Sequence, residues 1–267
     1  MGADIKSLRI RIKSVDSTLH LTKAMGLVAS SKIRGATAAM LKSRDYSSAL
    51  GAIVDQLAAC SECKKSPFIA GNESDKVKLI VIAGDRGLAG GYNANVFREA
   101  AKYPDAEFIP IGKRACERYS AEVNSSEKFS AADAYDLAKK LCDEFKNGEF
   151  GKLGIICTHY VSMMTQKAAV QWVLPLEKKE AQSGAGTVFE PNEEYILDTA
   201  VPEYVTGIIF GAVRESYTCE VVARRTAMDS AGKNAQQMID DLRLQYNRAR
   251  QGAITQEITE IIAGSGS

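Results

Sequence analysis

The last part of the chain, from about Val205 to the C-terminus, is the segment that most restricts the fold. It contains no proline, and apolar or small residues recur along it every three or four positions, which is the spacing of one helix face. A helix of roughly 60 residues would be about 90 Å long. Such a rod cannot bury its apolar stripe inside a domain of this size, so the sequence predicts pairing with another long helix. The stripe consists of Met228, Ala231, Ala235, Met238, Leu242, Tyr246, Ala249 and Ala253.

The partner helix is predicted at the opposite end of the chain. A series of mostly apolar or small residues advances there in alternating steps of three and four, which is typical of a coiled coil. Because the two helical segments are joined by a compact body, we expect them to pair antiparallel, with the left-handed supercoil of a heptad repeat. The series comprises Ile5, Leu8, Ile12, Val15, Leu19, Thr22, Gly26, Ala29, Ile33, Ala36, Met40, Ser43, Ser47, Leu50, Val54 and Leu57.

The middle of the chain alternates predicted strands and helices, and it contains all six prolines. This alternation favours a mostly parallel, Rossmann-like sheet with helices on its faces, and therefore an α/β fold class. We expect an N-terminal coiled-coil helix at 1–66, a central α/β domain at 73–200 and a C-terminal coiled-coil helix at 203–267. The predicted strands are 77–83, 107–111, 153–158 and 169–174, and the predicted helices are 93–102 and 131–145.

Composition and charge narrow the class of protein. The 267 residues are 45% hydrophobic and 25% charged, as in ordinary globular proteins, and no uninterrupted apolar run approaches the roughly 20 residues of a membrane span. Between Met1 and Arg44, nine basic residues oppose two acidic ones, a net charge of +7. Such an arm favours an acidic partner: nucleic acid, an anionic membrane surface or an acidic protein.

Residues suited to catalysis or metal binding are sparse. The six cysteines are scattered, and we interpret them as reduced thiols; Cys60 and Cys63 form one Cys-x-x-Cys pair without the histidines that would complete a zinc site. His20 and His159 have no evident catalytic partner. No metal and no cofactor are therefore expected.

A glycine-rich loop, Gly84–Asn93, follows the first predicted strand, where phosphate-binding loops are found. No lysine follows Gly90 and Gly91 as a Walker loop requires, and the second predicted strand ends without the acidic residue of a dinucleotide site. One interpretation is a tight strand-to-helix turn with Asp85 and Arg86 exposed for contact. The alternative is a nucleotide-binding α/β enzyme with helical oligomerisation arms, and a nucleic-acid-binding scaffold is a third hypothesis, weakened by the few aromatics near the basic arm.

Three segments resemble one known family, the gamma subunits of F-type ATP synthases. They are SLRIRIKSVDSTLHLTKAMGLVASSKIRGA at the N-terminus, GDRGLAGGYNAN in the middle and ARRTAMDSAGKNAQQMIDDLRLQYNRARQGAITQEITEIIAG at the C-terminus. The resemblance implies a rotor shaft without catalytic activity of its own, which couples ion-driven rotation of a c-ring to ATP synthesis or hydrolysis. The implied partners are the alpha, beta and epsilon subunits and the c-ring, without nucleic acid and without direct membrane insertion.

The resemblance also implies which residues meet these partners, on the cytoplasmic face of a bacterial plasma membrane. Contacts with the epsilon subunit and the c-ring are expected at Asp85, Arg86, Thr187, Phe189 and Glu190. Contacts with the alpha–beta hexamer are expected at Lys23, Met25, Val28, Lys32, Arg34, Arg250, Gln251, Thr255 and Glu257.

Overall fold

The computed structural model describes residues 2–177 and 189–265, with side chains for 5–177 and 189–264. Two helices dominate it, one near each end of the chain, and between them lie four strands and several shorter helices. In chain order the elements are α1 (Gly2–Ala59), a 3₁₀ turn (Glu62–Lys65), α2 (Pro67–Ala70), β1 (Val77–Ile82), α3 (Tyr92–Ala100), β2 (Glu107–Ile111), α4 (Lys113–Tyr119), α5 (Ala131–Lys146), β3 (Lys152–Tyr160), β4 (Gln166–Leu174) and α6 (Glu193–Ser265).

The four strands form one sheet in the order β2-β1-β3-β4. β1 runs parallel to both of its neighbours, and β4 is antiparallel to β3. β1 is buried on both faces, as its continuous run of apolar residues predicts. Leu79 and Val81 pack towards α3 on one face, whereas Ile80 and Ile82 join the main core on the other. The predicted fold class, mostly parallel α/β with long terminal helices, is confirmed.

Helix α5 shows how local sequence sets an element. The Ser130 hydroxyl accepts a hydrogen bond from the backbone N–H of Asp133, and the Asp133 carboxylate accepts one from the backbone N–H of Ser130. This capping box satisfies two helix N-terminal donors. The apolar face of α5 is then buried in the main core, with Leu141 and Phe145 almost fully enclosed.

The described residues fall into two compact units. The first contains Met1–Ser30 and Arg224–Ser267. Its two helical segments are antiparallel: the α carbon of Gly26 faces Met228, and the Arg9 guanidinium donates to the Tyr246 hydroxyl at 2.8 Å. Small residues such as Gly26 allow the backbones to approach closely.

The face of α6 in this first unit differs from the predicted stripe at one large residue. Met238 is 45% exposed, whereas its neighbour Ile239 is 1% exposed and packs with Leu19 and Ala235. The predicted Ala231 is half-buried, as is its neighbour Gly232, which lies near Leu19. Met228, Ala235 and Leu242 are buried as predicted, so the stripe was out of phase by one residue only at Met238.

The second unit contains Ser31–Ala223 and holds the sheet. Within it α1 and α6 are again antiparallel, since Gly207 faces Tyr46 and Gly51 faces Tyr204. The C-terminal helix begins earlier than the predicted residue 203: α6 begins at Glu193 and passes through Pro202 without a break. Leu197, Val201 and Val205, on either side of this proline, are completely buried in the core, and this packing compensates for the hydrogen bond that proline cannot donate.

Among the described helices, α6 contains one 18-residue window whose length and composition would permit a membrane span, with a mean hydropathy of 1.3. Forty-four per cent of that window is buried inside the protein. The apolar residues Leu197, Val201, Val205 and Ile209 are all completely buried in the main core. The apolar character of this part of α6 is therefore explained in part by its packing into the core.

Candidate functional site

The crevice at the carboxyl end of β1 is the place where an α/β sheet of this order would bind a ligand. In this protein α6 fills it. A Cβ atom added to Gly84 would lie 2.6 Å from Cδ of Glu220, so the glycine is needed for the Glu220 side chain to fit. Beside it, the Tyr92 hydroxyl lies 2.9 Å from the Ser216 carbonyl oxygen and 2.7 Å from the Ser216 hydroxyl.

These contacts argue against the nucleotide-binding alternative. Tyr92 is 5% exposed, and Ser216 and Glu220 are 0% and 2% exposed, so the crevice has no room for a phosphate chain. A buried carboxylate at this point would also repel a phosphate. The glycine-rich loop therefore packs against a helix of the same chain.

The predicted exposure of Asp85 is only partly seen, because its carboxylate is half-buried and bonded within the chain. It accepts hydrogen bonds from the Ser125 hydroxyl at 2.5 Å and from the backbone N–H groups of Lys113, Ser126 and Glu127 at 2.9–3.2 Å. Burial acts to raise the pKa of Asp85, but these hydrogen bonds outweigh it and the pKa is lowered. Asp85 thus organises the segment between α4 and α5, and its contact with a partner subunit stays a prediction. Arg86 is exposed.

Glu127, which the sequence did not single out, connects this segment to both long helices. Its Oε1 lies 2.7 Å from Nζ of Lys32 on α1 and accepts a hydrogen bond of 3.1 Å from the Tyr217 hydroxyl on α6. The hydrogen bond from Lys32 is the main cause of the lowered pKa of Glu127, and the same bond raises the pKa of Lys32. Lys32, expected to contact the hexamer, therefore has an ion-pair partner within the chain.

His159 also has a partner that the sequence did not reveal. Its Nδ1 lies 3.7 Å from Oε2 of Glu215, and its Nε2 lies 3.8 Å from Sγ of Cys157. The arrangement resembles a catalytic triad in residue types only, because Cys157 is fully buried and burial raises the pKa of its thiol. Glu215 also binds Arg44 and the backbone N–H of Tyr160. The cluster joins α1, β3 and α6 structurally.

The remaining predicted hexamer-contact residues lie on helix surfaces. In the first unit, Lys23 borders a groove of about 300 Å³, Met25 is half-buried and Val28 is 57% exposed. The groove is lined by Leu19, Thr22, Lys23, Met228, Asp229, Gly232, Lys233 and Gln236. On α1 in the second unit, Arg34 is exposed.

Near the end of α6, the predicted contact residues form an exposed polar surface. Arg250, Gln251, Thr255 and Glu257 are all exposed, and the Thr255 hydroxyl donates to the Gln251 carbonyl oxygen at 2.9 Å. Several large apolar residues of the same stretch are also exposed, among them Ile254, Ile258 and Ile261 at 46%, 51% and 69%. A helix end of this composition is suited to a surrounding partner.

Three of the residues expected to face the epsilon subunit and the c-ring lie in the segment before α6, and the structure describes two of them. Phe189 is half-buried against the main core, and Glu190 is exposed. Thr187 lies outside the described residues. Of the two described residues, Glu190 is the exposed one, at the start of the segment leading into α6.

Burial controls how reactive the cysteine thiols are. All six cysteines are free. Desolvation raises the pKa of Cys63 to about 11 and that of the half-buried Cys60 as well, so neither is a ready thiolate. Within 5–177 and 189–264, no group of three or more His, Cys, Asp or Glu side chains is placed to hold a metal ion.

A protein with two long paired helices and a ligand crevice filled by one of them belongs to the class of structural subunits of larger assemblies. Comparison with known proteins makes this specific. The family model described as ATP synthase matches residues 4–267. The ATP synthase gamma chain of Ruminococcus albus is 39% identical over 98% of each chain, and that of Alkaliphilus metalliredigens is 37% identical over 99% of each.

Solved structures show the same fold. A chain in the mitochondrial ATP synthase of Euglena gracilis (OSCP/F1/c-ring, rotational state 3) matches with a TM-score of 0.67 and 16% identity, covering 98% of this chain and 94% of that one. A chain in the rotor of the same enzyme matches with a TM-score of 0.66 and 16% identity, covering 95% and 100%. The chain belongs to the ATP synthase gamma-chain family, and it is a non-catalytic rotor subunit.

Proposed function

We propose that the chain is the central shaft of an F-type ATP synthase, which couples ion-driven rotation of a c-ring to ATP synthesis or hydrolysis at the catalytic sites of an alpha–beta hexamer. The observation that carries this proposal is the antiparallel pairing of α1 with α6, seen separately in each unit. A paired seam resists twisting better than a single helix, because each helix restrains the other where they are paired.

The distribution of exposed groups supports a surrounding partner. Arg250 and Glu257 near the end of α6 are exposed, and so are Ile254 and Ile258 beside them. The basic arm between Met1 and Arg44 suits acidic loops on such a partner. The proposed partners are the alpha and beta subunits for the helices, and the epsilon subunit and the c-ring for the α/β part.

The proposed location is the cytoplasmic face of a bacterial plasma membrane, within the membrane-associated ATP synthase. The bacterial relatives that match over nearly their whole length support this location. The coupled ion is chosen in the c-ring, so either H⁺ or Na⁺ is compatible with this chain.

Co-purification tests the assembly. A tagged chain recovered from membranes of its native host should bring alpha, beta and epsilon subunits, with about one copy for every three alpha–beta pairs. Recovery of the chain alone, or bound to nucleic acid, would refute the rotor function.

Charge reversal tests the contact surface. Lys23→Glu and Arg34→Glu should lower the number of ions pumped per ATP hydrolysed in membrane vesicles, because they place negative charge against the proposed acidic loops. Lys139→Glu, an exposed position on α5 outside the predicted contacts, is the matched control. Normal pumping by both helix variants would count against these contacts.

A further inference from the structure

The segment between α4 and α5, residues 120–130, is attached to the end of the sheet at several points. The Asn124 side chain accepts a hydrogen bond from the Gly112 N–H at 2.7 Å and donates one to the Pro110 carbonyl oxygen at 3.0 Å. Asp85 holds the next residues through the Ser125 hydroxyl and two backbone N–H groups. The segment, although it is neither helix nor strand, therefore moves with the sheet.

The same segment is attached to the two long helices through one carboxylate. Oε1 of Glu127 receives both the Lys32 ammonium of α1 and the Tyr217 hydroxyl of α6. All these residues belong to the second unit. Glu127 is thus the end of a hydrogen-bonded path that begins at the glycine-rich loop and reaches both helices.

We propose that Glu127 is a positioning residue for torque transmission, which fixes the angle between the α/β part of the second unit and its segments of α1 and α6. The inference rests on the proposed rotor function. The physical reason lies in the kind of contact. Apolar packing is non-directional and tolerates small sliding movements, whereas hydrogen bonds weaken steeply when their angle changes. The directional hydrogen bonds from Lys32 and Tyr217 to Glu127 therefore resist rotation of the sheet around the two helices.

This inference assigns Lys32 a role different from the one that the family resemblance implies. Lys32 is 40% exposed and Glu127 is 38% exposed, so the pair lies at the surface but has a defined geometry. The nearby charge of Arg86 also helps to keep Glu127 ionised, because it contributes to the lowered pKa of that carboxyl. Lys32 then stabilises the shaft itself through its ion pair with Glu127, whether or not it also contacts a beta subunit.

Glu127→Gln removes the charge and keeps the shape of the side chain, so it tests the ion pair with Lys32 separately from packing. In the purified assembly, hydrogen exchange at the amides of Ser126 and Glu127 should become about two- to fivefold faster, the effect of losing a partly exposed ion pair on a local opening equilibrium. Salt should reduce the difference from wild type, because it screens the wild-type pair. Glu117→Gln is the matched control: its ion pair with Arg114, at 2.9 Å, lies within α4 and joins no other element.

The rotation angle of the α/β part is measured on single molecules. With a probe attached to the α/β part and the hexamer fixed, Glu127→Gln should broaden the angular distribution during each catalytic pause. Tyr217→Phe should broaden it less, and both Lys32→Arg and Glu117→Gln should match wild type.

The possible failures are distinguishable. A wild-type assembly that forms but does not rotate would overturn the rotor function and this inference with it. A rotating assembly in which Glu127→Gln has the wild-type angular distribution and exchange rates overturns the inference alone.

Discussion

Replacing Gly112 with alanine should be one of the most damaging single-methyl changes in the protein. Gly112 follows β2 and has φ 95° and ψ 144°, a conformation essentially restricted to glycine. A Cβ atom at this position would lie 2.0 Å from the carbonyl oxygen of Ala83, well inside van der Waals contact. Because that oxygen belongs to the backbone, the clash cannot be relieved by a side-chain rotation.

The cost has two parts. Positive φ in a non-glycine residue of this kind costs about 1–3 kcal/mol. Moving the strand ends apart also weakens the hydrogen bond of 2.9 Å from the Ala83 N–H to the Ile111 carbonyl oxygen, worth about 1 kcal/mol. We therefore expect the free energy of unfolding to fall by about 3 kcal/mol, which lowers the urea midpoint by roughly 1–3 M.

The assay is urea denaturation followed by the fluorescence of Trp172, the single tryptophan, which lies on β4. Gly35→Ala provides a control of opposite sign, because Gly35 is an exposed position in α1 with no atom within 4 Å of an added Cβ. That variant should gain about 0.5–1 kcal/mol from helix propensity. A Gly112→Ala midpoint equal to or above wild type would refute the reasoning.

Three further outcomes are expected. Tyr92→Phe removes a buried hydroxyl bonded to α6 and should lower the free energy of unfolding by about 1–2 kcal/mol in the same titration; an unchanged midpoint would show that the bond contributes nothing. Asp85 and Glu215 have pKa values in the folded state that are lowered from the ordinary 3.8 and 4.5. Their contribution to the free energy of unfolding is therefore complete above the ordinary pKa values and is lost as the pH falls through the folded-state pKa values. Stability should accordingly decline as the pH falls below 3.8 and 4.5. Thermal melts from neutral pH to about pH 3 measure this, and a constant melting temperature contradicts it. Near neutral pH a maleimide should label Cys60 well before Cys63, which is fully buried with a pKa of about 11, and equal labelling rates by mass spectrometry would be inconsistent with the structure.

The N-terminal seam could be predicted in full from the sequence. Every described residue of the predicted series, from Ile5 to Leu57, is buried or half-buried in the structure. Alternating steps over so many turns leave only one possible buried face. The C-terminal stripe was less well determined, because the adjacent apolar residues Met238 and Ile239 both fit the three-four spacing between Ala235 and Leu242. Met238 was selected, whereas Ile239 is the buried residue.

The direction of β4 could have been derived from chain length alone. Five residues separate Tyr160 from Gln166, and a parallel crossover needs about 10–12 or more. Helix α4 was missed because its seven residues follow Gly112 without a side-chain cap. The role of Asp85 could not be predicted, since its hydrogen-bond donors lie 28 to 42 residues further along the chain. Glu127 was missed for the same reason.

The filling of the β1 crevice by α6 has a consequence for biosynthesis. The last strand of the sheet ends at Leu174, whereas the residues that fill the crevice, Ser216 and Glu220, are translated later. At about 5–20 residues per second, the ribosome needs several seconds to add them. During that interval the nascent sheet presents an open crevice lined by glycine and Tyr92. Slower codons between Leu174 and Glu220 would therefore prolong the interval in which this crevice is open.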